Sequence, residues 1–113
     1  MFFRIESLSP REVFPGAAMR SVAGEGSMVT FFTFEPGAIV PAHRHPHRQI
    51  SIMIKGEAKF RLGNDERELK AGDGVVIPAD VPHAVTIGPQ SAEIWDFWVP
   101  VREDYLNPDS RSV

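Results

Sequence analysis

Ten prolines and nine glycines in a chain of 113 residues interrupt it every few positions, and that punctuation leaves little room for a long helix. What remains are short runs with the alternation of strands. Gln49-Ile-Ser-Ile-Met-Ile54 places Ile50, Ile52 and Ile54 on one face and Gln49, Ser51 and Met53 on the other, because successive side chains of a strand point opposite ways. Met28–Phe34, rich in β-branched and aromatic residues, is a strand stopped by the Glu35-Pro-Gly37 turn. Glu57–Leu62 and Arg67–Lys70 form a hairpin about a Gly63–Glu66 loop, and Gly74–Ile77, Ala84–Ile87 and Glu93–Val99 are further strands. Phe2–Ile5 reads as an initial strand and Glu12–Phe14 as a second; Ala17–Arg20 reads as a loop or edge strand. Arg102–Leu106 has room for one helical turn, and Asn107–Val113 reads as a frayed polar tail. Roughly eight to ten short strands with regular turns and no βαβ rhythm predict an all-β antiparallel jelly roll. The length sets one domain, with N-terminal strands and loops over 1–27, a barrel core over 28–99 and a C-terminal tail over 100–113.

Composition narrows the chemistry. There is no cysteine, so disulfides, thiolate metal sites and a cysteine nucleophile are all excluded. A net charge of −3 with scattered Lys and Arg offers no basic stripe for a phosphate backbone, and nucleic acid is not an expected partner. No apolar run approaches the ~20 residues of a membrane span, and Met1-Phe-Phe-Arg-Ile-Glu-Ser lacks the apolar run of a signal peptide. The expected location is cytoplasmic, with no membrane partner.

Against that background the histidines stand out. Three of the four lie in His43-Arg-His45-Pro-His47, and the fourth, His83, follows the rigid corner Pro78-Ala-Asp-Val-Pro82. On a strand, the spacing of two puts His43 and His45 on one face. Gln49 then joins them from the wall it shares with Ser51 and Met53, and His83 arrives from the other half of the chain with Val85 and Ile87. Three imidazoles and an amide oxygen suit a divalent metal ion, with Zn, Ni, Fe, Mn and Cu all compatible. A neutral amide leaves the cation its full charge and thus its full Lewis acidity. The last strand directs Ile94, Asp96 and Trp98 inward by the same parity. A carboxylate in such apolar company has its pKa raised into the range useful for proton transfer.

Gly37, five residues, His43-x-His45, three residues, Gln49, six residues, Gly56 resembles the first sequence motif of the cupins. Gly72, five residues, Pro78, four residues, His83 resembles the second. Gln49 stands where the motif has Glu, Asp80 where it has Gly, and Ile87 where it has Asn. The resemblance implies a cupin barrel, the double-stranded β-helix form of the jelly roll. The block around His43–Gln49, the Ile77–His83 corner and above all Asp96-Phe-Trp-Val-Pro-Val-Arg-Glu-Asp-Tyr-Leu106 are similar to the small cupins related to the pectin-degradation enzyme KdgF. That likeness implies His43, His45, Gln49 and His83 on the metal, with Asp96, Trp98 and Arg102 as catalytic residues. The implied reaction converts an unsaturated uronate, a small anionic sugar acid, to its open-chain keto form.

Two other classes stay open: a metal-dependent dioxygenase on a small organic substrate, and a non-catalytic cupin that binds a small acid. His47, past Pro46, falls out of the parity and is expected at the surface or behind the ligands. Arg44 and Arg48 are expected to flank the mouth as solvated charges. Ile50, Ile52 and Ile54 require cover, from the N-terminal strand or from a second subunit in a two-fold homodimer.

Overall fold

The computed structural model describes residues 1–111. Among the described residues ten strands carry the fold: β1 (Arg11–Phe14), β2 (Ala17–Ala23), β3 (Met28–Phe34), β4 (Ile39–His43), β5 (Arg48–Lys55), β6 (Glu57–Leu62), β7 (Asp65–Lys70), β8 (Gly74–Ile77), β9 (His83–Ile87) and β10 (Ala92–Val99). All pairings are antiparallel, in a six-stranded sheet of order β1-β2-β3-β10-β5-β8 and a four-stranded sheet of order β4-β9-β6-β7. The chain crosses repeatedly between the sheets, and the two close on each other as a jelly roll.

Alternation decides what lies between them. From the larger sheet Met28, Phe32, Phe34, Met53, Ile94 and Trp98 point inward and are buried; from the smaller sheet Val40, Phe60, Val85 and Ile87 meet them. Phe32 stacks on Phe34 with centroids 5.3 Å apart and meets Tyr105 edge-on at 5.9 Å. Each large apolar side chain so buried contributes about 1.5–3 kcal/mol. Gly56 turns β5 into β6 at φ +80, and a Cβ there would lie 2.5 Å from the Ser91 carbonyl oxygen. Backbone angle and close approach therefore both demand glycine.

Several expectations change at the edges of the fold. Phe2–Ile5 is not a strand: Met1, Phe2 and Phe3 are exposed, and the first regular element is a 3-10 turn at Ile5–Ser7. Ala17–Arg20 is not a loop or an edge, because β2 lies between β1 and β3 and buries Ala17, Met19 and Ser21. The β6–β7 loop is Gly63–Asn64 alone, with Leu62 paired to Asp65 and Gly63 at φ 59, the glycine-first geometry of a two-residue hairpin. The helical turn expected over Arg102–Leu106 is a 3-10 turn at Glu103–Tyr105.

The tail is docked as far as Ser110; Ser112 and Val113 lie outside the described residues. Asn107 donates to the carbonyls of Ser9 (3.1 Å) and Met19 (3.2 Å) and accepts from Arg11 (3.0 Å). Ser110, fully buried, shares a 2.6 Å hydroxyl contact with Ser21, whose own hydroxyl donates to the Tyr105 carbonyl at 2.7 Å. Polar composition predicted fraying, but these residues partner the β2 backbone, Asn107 at the Met19 carbonyl and the Ser110 carbonyl at the Ala23 N–H (2.9 Å).

The outer face of the six-stranded sheet is apolar. Phe3 packs near Phe31, which meets Trp95 edge-on at 5.3 Å, so the N-terminal segment covers the β3 end without forming a strand. Ile50, Val76, Phe97 and Val99 remain 38–65% exposed. Among the described residues no helix is long and apolar enough to cross a membrane.

Candidate metal centre

His43 and His83 are register partners on β4 and β9, beyond a bulge between Val40 and His43. Their ring centroids lie 4.3 Å apart. His45 is not on a strand, because β4 ends at His43. It reaches the same point from the β4–β5 connection, with its centroid 4.8 Å from that of His83. The Pro78–Pro82 corner holds it there, since the Asp80 N–H donates to the His45 carbonyl at 2.8 Å. Asp80 does so at φ +63, a left-handed conformation that Asp adopts more readily than most residues and Gly more readily still. The positive φ is the physical reason for glycine at this point of the motif.

Each of the three rings is anchored by a carbonyl two residues away. His43 Nδ1 lies 2.8 Å from the Pro41 oxygen, His45 Nδ1 2.9 Å from the His47 oxygen and His83 Nδ1 2.9 Å from the Val81 oxygen. A carbonyl only accepts, so each Nδ1 carries the hydrogen and each Nε2 presents a lone pair. His47 thus serves through its backbone, behind the cluster. Its side chain is half-buried, and Nδ1 has no partner among the described residues. Burial, ahead of the nearby charges, lowers the pKa of His45 and takes that of His83 down to about 4. Both rings are therefore neutral at neutral pH.

The ligand atoms of His43, His45 and His83 lie within 4.8 Å of one another. Two of the lone pairs face each other at 3.2 Å, between His45 Nε2 and His83 Nε2, and Gln49 Oε1 approaches His45 Nε2 at 3.1 Å. With every Nδ1 hydrogen committed elsewhere, no hydrogen is available between these acceptors. Such an arrangement repels itself unless a cation lies among them, and it fits a divalent metal ion.

The remaining predicted residues line the same lumen. Asp96 is buried on β10 and accepts from the Ser51 hydroxyl at 2.5 Å. Burial pushes its pKa up to about 6, against the opposing pull of the Ser51 and Gln49 hydrogen bonds and the Arg102 charge. Trp98 is 2% exposed, donates from Nε1 to Thr30 Oγ1 at 2.9 Å, and sets its ring 5.1 Å from that of His45. Arg102 spreads its guanidinium over Tyr105 at 3.9 Å and near Trp98 at 5.1 Å. Its Nε donates to Asp104 at 3.1 Å, while Nη1 is buried without a partner among the described residues. Arg44 and Arg48 are exposed, as their composition suggested.

Sequence reading missed two participants. Tyr105 lines the lumen and is pushed up to about 12 by burial, but it sits in a 3-10 turn where no alternation signals its direction. Ser51 was legible as wall and not as a hydrogen-bonding centre. The signal available was a lone small polar residue in a row of inward-facing positions.

The fold and the centre can be set beside known proteins. KdgF from a Halomonas species superposes with a TM-score of 0.88 at 28% identity, over 94% of this chain and 98% of that one. An RmlC-like cupin from Shewanella frigidimarina does so with a TM-score of 0.88 at 25% identity, over 93% and 95%. Oxalate decarboxylase from Bacillus subtilis shares the fold at 21% identity, over 91% of this chain and 30% of that one. In sequence, 60 residues are 37% identical to the dimethylsulfoniopropionate lyase DddQ of Ruegeria pomeroyi, which is 51% of this chain and 30% of that protein. The chain therefore spans less than a third of that relative. The family model described as Cupin domain matches residues 30–99, a stretch that runs from β3 to the end of β10 and contains all three histidines of the cluster. That is more than half of the sequence, and the chain belongs to the cupin family.

Proposed function

We propose that this cupin is a metal-dependent enzyme that opens an unsaturated uronate to its keto form, with His43, His45, Gln49 and His83 as metal ligands. The observation that carries the reading is Arg102 Nη1, a buried cationic donor without an acceptor among the described residues, beside the three-histidine cluster. A buried charged donor left unpaired is costly, and the carboxylate of a sugar acid supplies what it lacks. Similarity to KdgF over nearly the whole chain supports the same choice.

When bound, the divalent ion supplies Lewis acidity that stabilises negative charge developing on the enol oxygen. The rest falls to the chain. Arg102 holds the substrate carboxylate, and Trp98 forms an apolar wall against the ring. Asp96, ionised at neutral pH with a pKa of about 6, takes the proton of the anomeric hydroxyl as the ring C–O bond breaks. It then returns that proton to the distal enol carbon, so the reaction is an isomerisation with no net gain or loss. Purified protein should remove the ultraviolet absorbance of the conjugated double bond, without dioxygen and with a redox-inert metal. A flat trace at every metal loading refutes the assignment, and a strict need for dioxygen moves it to the oxygenase class.

A further inference from the structure

Gln49, Ser51 and Asp96 project side by side into the lumen, Ser51 and Asp96 being register partners on β5 and β10. All three are buried, at 7%, 1% and 6% exposure. Gln49 Nε2 donates to Ser51 Oγ at 3.0 Å, and Ser51 Oγ donates to Asp96 Oδ1 at 2.5 Å. A serine hydroxyl has one hydrogen, and here Asp96 takes it.

We propose that Ser51 is a positioning residue whose single hydrogen gives the Gln49–Ser51–Asp96 chain one direction and thereby requires an amide, not a carboxylate, at position 49. The proposal rests on the reading of Gln49 as a ligand and Asp96 as the proton carrier, and adds what orients both. Because Ser51 accepts from Nε2, the amide cannot turn over, and Oε1 stays on the His45 and His83 side. Because Ser51 donates to Oδ1, that carboxylate oxygen of Asp96 is committed and the carboxylate is held in one orientation. A carboxylate at position 49 has no hydrogen to give Ser51 and competes with Asp96 for the one Ser51 holds. The departure from the usual Glu of the motif is thus coupled to the acid on β10.

The test uses the full chain, stripped of metal and titrated with Zn2+. Ser51→Ala should weaken Zn2+ binding roughly 10- to 100-fold, the usual effect of removing a partner that orients a metal ligand; unchanged affinity overturns the proposal. A stability cycle in the metal-free protein reads the direction of the chain independently. Gln49→Glu should lower the thermal midpoint. Adding Asp96→Asn should restore it, because the new amide can donate to Ser51 while Ser51 turns to the carboxylate at position 49. Repeating the cycle with Ser51→Ala should abolish that rescue. Additive effects with Ser51 present, or an equal rescue without it, overturn the proposal. Neither readout needs turnover, so a protein that fails on uronates sinks the function while leaving this chain of hydrogen bonds to its own test.

Discussion

Replacing Asp96 by Asn should cost the protein its activity and make it more stable, in a pH-dependent way that can be worked out beforehand. Burial raises the carboxyl from the ordinary 3.8 to about 6. The folded state therefore binds the proton more tightly than the unfolded chain does, and stability falls as pH rises between these values. At about 1.4 kcal/mol for each tenfold change in proton affinity, the ionised Asp96 costs the fold roughly 3 kcal/mol once pH exceeds both values. About a third of that is already present at pH 4.5, so about 2 kcal/mol develops between pH 4.5 and 7.5. Asn keeps the Ser51 hydrogen bond and leaves one amide N–H facing the lumen, a cost of about 1–3 kcal/mol that does not vary with pH. The difference between variant and parent should thus grow by about 2 kcal/mol across that interval, whatever its absolute value, or by about 8 °C in thermal midpoint. Urea unfolding of the metal-free proteins at both pH values measures it. A difference that is flat with pH refutes the argument that burial holds this carboxylate out of its ordinary range. Turnover should vanish in the same variant with metal content unchanged.

Arg102→Met keeps the packing against Tyr105 and Trp98 and removes the unpartnered donor. It should raise KM for the anionic substrate about 10- to 100-fold, the worth of a charged hydrogen bond, with a smaller change in kcat. Asn107→Ala strands the Ser9 and Met19 carbonyls and should lower stability by about 1–3 kcal/mol in denaturant titrations; no change would mean that the tail frays after all. The uncovered strip formed by Ile50, Val76, Phe97 and Val99 is proposed to pair with a second copy about a two-fold axis. Sedimentation should show a dimer that Ile50→Lys converts to a monomer.

The barrel was legible because its evidence is local. Gln49–Ile54 and Glu93–Val99 alternate cleanly, and parity alone placed Gln49, Ser51, Asp96 and Trp98 on the buried face where the structure has them. His45 reached the cluster for a reason parity does not contain: it lies beyond the end of β4 and is brought in by the Asp80 N–H and the His47 carbonyl. The same limit explains the termini. Asn107 and Ser110 look like solvent-facing polar residues until the β2 groups they satisfy, the Met19 carbonyl and the Ala23 N–H some ninety positions away, are known. Alternation reports which face a residue is on, and says nothing about which distant backbone group needs a partner.

The two halves of the site respond to acid at different points, and this separates binding from chemistry. Protons compete with the metal for the Nε2 lone pairs, and burial has already lowered the affinity of His45 and His83 for them, the latter to about 4. Asp96 gains its proton at about 6, well before His83 does on acidification. A bound cation repels protons most strongly from the Nε2 atoms it touches, so it moves the histidines further down than the carboxyl. The rate should therefore fall first as pH drops, while metal content holds, and the metal should leave only at lower pH. Rate and metal content falling together would show that the histidines, and not Asp96, set the acid limit of the enzyme.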